Sequence, residues 1–378
     1  ISRQVPAPIV RILINFYTGN YVRVQWCGIM SGYFLAINGV KQGGVLSPVL
    51  FCLYIDGLLQ ALSNAGVGCF IGNTFVGVLA YADDIVLLAP SATALRIMLT
   101  ICDSYASDYS ISFNASKSKC LVVLPNSRRS LRDYVTNCIF SVGGKPIEYV
   151  DSFSHLGHII TSNLSDTADI TNRRNTFVGQ VNSVLCFFNN LNSSIKYKLF
   201  QSYCMSVYGC ELWSLSNDKI NDLCLAWRKS LRRVWGLPYN THCYILPLLS
   251  QCLPLFDEIC SRSLSFIKSC LLHKSTLVSA VSNYAIRYGR YNSFLGHNAL
   301  FCVRRYNINI VDIGSTCFTN AKRIIHSYCN ELIEDTQYQT ACFVRELLLL
   351  RENVLILSNN IVFSYNDLEQ LINAVCTC

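Results

Sequence analysis

An α+β protein is expected, and three observations carry that expectation. Short β-type runs separated by tight polar breaks fill the first 160 residues, helical apolar periods are interleaved with them, and helical periods alone continue beyond Asn163. The central pair of runs is the most telling. Phe75-Val76-Gly77-Val78-Leu79-Ala80 and Ile85-Val86-Leu87-Leu88-Ala89 flank Tyr81-Ala82-Asp83-Asp84, which reads as a hairpin with two adjacent carboxylates at its tip. Buried or half-buried, such a pair is costly unless a cation neutralises it. Divalent metal, and with it a polymerase, is the leading idea. A solvated turn is the plain alternative, because Asp favours turns whatever the function.

The other elements follow in order. Ala7 to Tyr17 reads as a helix. Tyr21 to Trp26 alternates like a strand, with Tyr33 to Val40 as its partner and Gly32 at the turn. Lys41-Gln42-Gly43-Gly44-Val45-Leu46-Ser47-Pro48 is a Gly-rich loop, in which Ser47 is a natural N-cap and Pro48 suits the first helical position. The helix runs to about Ala65, with Leu50, Leu53, Tyr54, Leu58 and Leu62 on one side. After the Asp hairpin, Ser91 caps a helix from Ala92 to about Tyr109, with Leu95, Met98, Leu99, Cys102 and Tyr105 on its apolar side. A loop and a strand follow, then short β segments over residues 137 to 160. Helices are expected at 166–190, 195–209, 217–235 and 254–272. The change of texture sets a domain cut near 161, and neither an internal repeat nor a low-complexity tract is visible.

Bulk properties narrow the classes. With 378 residues, 51% hydrophobic and only 14% charged, the chain has material for two or three folded domains and is not a disordered tail. No apolar run reaches the roughly 18 residues a membrane span needs, so no membrane partner is expected. The 20 Cys come without a visible signal peptide and without a C-x-x-C, so they read as small buried hydrophobes in a reducing compartment. Cys317, His326 and Cys329 form the best zinc candidate, but lack a clear fourth ligand, so no zinc is expected. Net charge is +8, the sign that suits a polyanion.

Three further segments accompany the hairpin: Gln42-Gly43-Gly44-Val45-Leu46-Ser47-Pro48 before it, then Phe113-Asn114-Ala115-Ser116-Lys117-Ser118-Lys119 and Leu156-Gly157 after it. In this order and spacing, residues 1 to 160 resemble the reverse transcriptase of non-LTR (LINE-type) retrotransposons. The likeness continues more loosely through Trp227-Arg228-Lys229-Ser230-Leu231-Arg232-Arg233-Val234-Trp235-Gly236-Leu237-Pro238. The resemblance implies an incomplete right-hand polymerase palm over 1–160, a helical thumb-like region over 161–240, and a helical region of unknown role over 241–378. It implies RNA template, DNA primer and deoxynucleotide triphosphates as partners, two Mg²⁺ (or Mn²⁺) ions in the complete enzyme, and nucleus and cytoplasm as location. Asp83 matches the metal ligand, with Asp84 beside it in a lesser or partly structural role. Tyr81 and Ala82 would flank the primer terminus and incoming nucleotide, and Gln42 and Gly43 would touch nucleotide and template. Lys117 matches a lysine near the nucleotide phosphates, with Lys119 the neighbour it could be confused with. Leu156 and Gly157 match a primer-gripping hairpin.

Arg228, Lys229, Arg232 and Arg233 give the helix near residue 230 one basic face, opposite Leu223, Trp227, Leu231 and Val234. They suit phosphate contacts, but also complement the helix dipole near the stop at Gly236 and Pro238. In the resembled family a further Asp, in a D-x-x-K-A-F-D-like segment, lies upstream of what corresponds to the first helix, and Asp56 sits on a helix where it cannot substitute. The fingers and an upstream endonuclease are also without counterpart here. The expectation is therefore a fragment that is inactive alone. A non-catalytic nucleic-acid-binding remnant is the alternative, and an unrelated α+β binding protein is the weakest.

Overall fold

A computed structural model describes residues 5–36, 39, 43–124, 138–289, 293–309, 313 and 321–334. Among them the chain is α+β. Helices α1 (Ala7–Tyr17), α2 (Ser47–Asn64) and α3 (Ala92–Asp108) alternate with short strands. Beyond residue 162 come α4 (Thr167–Phe187), α5 (Ser193–Tyr203), a 3-10 turn (Cys210–Leu212), α6 (Lys219–Trp235), α7 (Ile245–Leu249), α8 (Leu255–Leu271), α9 (Thr276–Arg287), α10 (Phe294–Tyr306) and α11 (Ala321–Glu334). No described helix is long and apolar enough to cross a membrane. Gln42, Cys317, part of the expected strand to Val40 and all residues after 334 lie outside the described residues.

The chain divides into two compact units, Ile1–Phe113 and Asn114–Cys378. In the first, β1 (Tyr21–Val22) pairs with β4 (Phe34–Leu35), and β2 (Gln25–Trp26) with β3 (Ile29–Met30). Tyr21–Val22 finds its expected partner, but Gln25–Trp26 pairs with Ile29–Met30 instead of the 33–40 run, so the turn is at Cys27-Gly28 rather than Gly32. Cys27 and Gly28 take φ of 47° and 82°, the pair of positive values that a two-residue hairpin loop demands. β5 (Phe70–Ile71) pairs with β6 (Thr74–Phe75), and β7 (Val78–Tyr81) with β8 (Asp84–Leu87).

The core of this unit is small. Leu58, Leu62, Met98 and Cys102 join α2 to α3, and Val78, Ile85 and Leu87 of the β7–β8 hairpin pack against them. α2 and α3 approach closely at Gly57, where a Cβ would lie 2.9 Å from the Tyr105 hydroxyl. Ser91 caps α3 as expected, accepting from the Ala94 N–H at 3.2 Å. Two expectations for α2 need correction. Ser47 is inside the helix and Leu46 is at the N-cap. Leu53 and Tyr54 are 41% and 43% exposed, and Ile55 takes the buried place beside Leu58 and Leu62. α2 is apolar on more than one side, so its period does not single out the buried face.

In the second unit β9 (Lys119–Cys120) pairs in parallel with β12 (Glu148–Tyr149), β10 (Ser141–Val142) with β11 (Lys145–Pro146), and β13 (Ser152–His155) with β14 (His158–Thr161). The strands thus form separate two-stranded ladders, one of them parallel. The helices share one continuous core running from Ile170 on α4 to Ile325 on α11. The texture change near 161 falls inside this unit, where β14 hands over to α4. The expected faces of α6 are observed: Leu223, Trp227, Leu231 and Val234 are buried, and Gly236 ends the helix at φ 68°.

The described cysteines are free. Several are buried, as expected, and burial pushes the Cys102 and Cys210 thiols up to about 12, which makes them poor nucleophiles. Cys27, Cys52, Cys186 and Cys243 are instead exposed.

Candidate active site

Five hairpins of the described residues close with two-residue loops, and two of them carry residues singled out from sequence. In the first unit the register pairs Tyr81 with Asp84, so Ala82 and Asp83 form the loop. Asp83 is therefore at the turn itself, and Asp84 opens β8. All four residues are exposed. One and three rungs below the Tyr81–Asp84 pair, Ile85 and Leu87 turn toward the apolar core while the carboxylates stay in water. Ala82 has φ 51°, a left-handed conformation that L residues other than Asn and Asp seldom take. Such strain persists where the surroundings over-determine it, and it clusters at functional sites.

Gly43 lies in the loop that enters α2, the helix whose Leu58 and Leu62 seat the hairpin base. Its φ is 78°, and a Cβ there would meet nothing within 4 Å, so the loop backbone is open to an approaching molecule. Asp56 is on α2, where it accepts from the Gln60 amide at 2.8 Å.

The second unit holds the remaining candidates, and each is described within that unit. Asn114 organises the turn bearing Lys117: its carbonyl accepts the Lys117 and Ser118 N–H groups at 3.1 and 3.0 Å, and its side chain accepts the Ser116 hydroxyl at 2.7 Å. Lys117 is exposed. Lys119 lies opposite Glu148 in the β9–β12 ladder, and its ammonium is 2.5 Å from that carboxylate.

Leu156 and Gly157 form the loop of the β13–β14 hairpin, with φ of 49° and 76°. Around this hairpin lies a group of residues that sequence reasoning missed. The Tyr208 hydroxyl donates to the Leu156 carbonyl at 3.0 Å, and the Arg173 guanidinium donates to the Gly157 carbonyl. Asp169, fully buried one turn earlier on α4, accepts from the Ile159 N–H at 3.0 Å and the Trp213 indole at 2.8 Å. Its other contact is His158 Nδ1, at 3.2 Å. Burial alone would raise the Asp169 carboxyl, but these partners outweigh it and hold it below the ordinary value. The same contact with Asp169 raises His158 against the effect of its own burial. The available signal was the spacing Asp166, Asp169, Arg173, which puts three charges on one stripe of a helix that buries a face.

On α6, Arg232 donates to the Thr241 carbonyl at 2.6 and 3.1 Å, and Arg233 to the Asn182 side chain at 2.8 Å. Lys229 is exposed and Arg228 is half-buried.

A family model described as reverse transcriptase (RNA-dependent DNA polymerase) matches residues 3–160. The Retrovirus-related Pol polyprotein from type-2 retrotransposable element R2DM of Drosophila melanogaster is 35% identical over 30% of this chain and 10% of its own length. The RNA-directed DNA polymerase from mobile element jockey of Drosophila funebris is 24% identical over 61% of this chain and 25% of its own. The probable RNA-directed DNA polymerase from transposon X-element of Drosophila melanogaster is 22% identical over 75% of this chain and 31% of its own. The chain thus spans between a tenth and a third of the length of these relatives. Residues 3–160 thus match the reverse transcriptase family, and the relatives to which the chain is similar are polymerases and Pol polyproteins of retrotransposable elements.

Proposed function

We propose that this chain is the palm-and-thumb part of an RNA-directed DNA polymerase that extends a DNA primer on an RNA template by two-metal nucleotidyl transfer. The observation that carries the proposal is the β7–β8 tip, where Asp83 and Asp84 stand adjacent and exposed on a hairpin anchored at its base. Adjacent carboxylates are hard oxygen donors. They fit a Mg²⁺ or Mn²⁺ ion that keeps waters and takes its remaining ligands from nucleotide phosphates. They do not make a closed cage, since among the described residues no three His, Cys, Asp or Glu side chains converge. Asp83 would be the principal ligand and Asp84 the lesser one. Bound there, the metal would activate the primer hydroxyl and neutralise charge on the leaving pyrophosphate.

The chain's own residues position the reactants. Tyr81 and Ala82 would border the primer terminus and incoming nucleotide, and the open backbone at Gly43, with Gln42, would approach nucleotide and template. Lys117 is favoured over Lys119 as the lysine near the phosphates, because Lys119 is already paired with Glu148. Leu156 and Gly157 would contact the primer. On α6, Lys229 and Arg228 are better placed for phosphate contacts than Arg232 and Arg233, whose guanidinium groups already serve Thr241 and Asn182.

A second ion calls for one more carboxylate than the tip supplies. Primer extension on poly-rA with oligo-dT and Mg²⁺ tests this, comparing the chain, its Asp83→Ala variant, and a form extended upstream by an Asp-bearing strand. Activity in the extended form, lost on Asp83→Ala, supports the proposal. Extension that survives Asp83→Ala would sink it. The two-carboxylate count also favours a second reading, non-catalytic nucleic-acid binding. Salt-dependent RNA binding without extension in any form would establish that one instead.

A further inference from the structure

The β13–β14 tip is strained and doubly held. Leu156 has φ 49°, which is disfavoured for an L residue with a Cβ, and Gly157 follows at 76°. A two-residue loop of this kind turns its own carbonyls away from the strand ladder, where water or a side-chain donor satisfies them. Both find a side-chain donor. Tyr208, in the segment before the 3-10 turn, donates to the Leu156 carbonyl at 3.0 Å. Arg173 of α4 donates to the Gly157 carbonyl. The two donors also brace each other, with the Arg173 guanidinium 5.2 Å from the centre of the Tyr208 ring. A Cβ on Gly157 would lie 3.5 Å from that ring and 3.8 Å from Arg173 Nη2, so the clamp closes directly over the loop.

One turn down α4, Asp169 holds the next rung through the Ile159 N–H and His158. The two rungs next to the tip are therefore held by a contact separate from the clamp. This division separates two roles. Asp169 and Trp213 belong to the folded core, whereas Arg173 and Tyr208 act at the surface on a loop whose fold is already secured. Tyr208 is itself 52% exposed, so burial does not account for its place.

We propose that Arg173 and Tyr208 are positioning residues that set the orientation of the Leu156-Gly157 tip for the primer. This rests on the polymerase reading above for the primer, and on the geometry alone for the clamp. The tip keeps its left-handed conformation because two donors from α4 and the Tyr208 segment pin its carbonyls. Without them the loop moves while the adjoining rungs stay in place.

Two measurements on the full chain test the proposal, each on Arg173→Ala, Arg173→Lys, Tyr208→Phe and the unaltered protein. The first is hydrogen exchange at the tip amides of Leu156 and Gly157, with the Ile159 amide, held by Asp169, as the internal reference. Arg173→Ala and Tyr208→Phe should speed exchange at the tip, with thermal melting unchanged. The second is affinity for an oligo-dT/poly-rA primer–template by fluorescence anisotropy. Arg173→Ala should weaken it about tenfold, the size expected for loss of one hydrogen bond from a charged donor. Arg173→Lys should recover part of that loss, and affinity for single-stranded RNA should not change. Unaltered exchange at the tip overturns the clamp. Faster exchange with unaltered primer–template affinity overturns the positioning role and leaves a purely structural one. If the unaltered protein does not bind primer–template, the polymerase reading fails, and the exchange data still decide whether the clamp exists.

Discussion

The two units of this chain use their apolar residues in opposite ways. In Ile1–Phe113 the described core is four residues, Leu58, Leu62, Met98 and Cys102. α1 buries nothing, and Ile12, Trp26, Ile29 and Val45 are 65%, 78%, 75% and 91% exposed. In Asn114–Cys378 thirty-three described apolar residues form one core, and the unit's buried carboxylates Asp166, Asp169 and Asp257 are hydrogen-bonded. With so few apolar side chains buried, the first unit draws little stability from a core of its own. The unit bearing the Asp pair is therefore the one that gains most from a partner surface, while the second unit carries its stability within itself.

Four predictions break or sharpen this contrast. The largest concerns Trp213, which is fully buried and donates to Asp169. Trp213→Ala should cost about 3–5 kcal/mol in urea unfolding, because it opens a cavity and leaves a buried carboxylate short of a donor. A cost of less than about 1 kcal/mol would show that the second unit is loosely packed and the contrast is mistaken. Next is Leu58→Ala, also at a fully buried position. Its cost should be about 2–3 kcal/mol, the low end for Leu, since half-exposed neighbours can collapse into the space. Hydrogen exchange should rise in α2 and α3 and stay unchanged in α4, α6 and α8. A rise in both units would show that they unfold together.

The same contrast governs what could be read from sequence. α3 and α6 were legible because Ser91 on the one, and Arg232, Arg233 and Gly236 on the other, punctuate clear apolar stripes. The buried face of α2 was not legible, because Leu53 and Tyr54 are apolar yet exposed, and periodicity cannot say which of two apolar faces is covered. The first turn was misread because Gly32 drew attention from Cys27-Gly28, where strand pairing sets the register. The Asp hairpin was legible as a hairpin, since two apolar runs flank it, but its loop is Ala82-Asp83 alone: Tyr81 and Asp84, read as part of the break, pair in the ladder, and Phe75 belongs to β6. Asp169 and Arg173 were not. An Asp on a helix reads as solvated, and its partner Trp213 is 44 residues away, a contact that only packing creates.

The third prediction is a pH dependence confined to the second unit. His158 faces Asp169, Asp166 and Arg173, and its pKa is raised, chiefly by the bond to Asp169. A raised histidine contributes stability that is full below its ordinary value of 6.5 and is lost as pH rises through the folded value. Asp169 is lowered, so its contribution is full above 3.8 and is lost as pH falls through the folded value. The second unit should therefore be most stable between about pH 4 and 6.5 as far as this pair decides it, and should weaken on the alkaline side. Thermal melting of the His158→Gln variant should lack that alkaline limb. A limb that persists would assign it to another group.

The smallest expected effect is at Ala82, and it bears most directly on what the first unit is for. Its φ of 51° is strained for alanine and free for glycine. Ala82→Gly relieves that strain but loosens the unfolded chain, so the net gain should be a few tenths to about 1 kcal/mol. The strain lies at the surface and is removable, so its effect on extension can be separated from its effect on folding. The measurement is paired: exchange or melting of the first unit, and primer extension in the upstream-extended form. Higher stability with slower extension would mean that the strained tip holds Asp83 in a working orientation. Higher stability with unchanged extension would mean that Ala82 is merely tolerated, and that the carboxylates need only proximity to act.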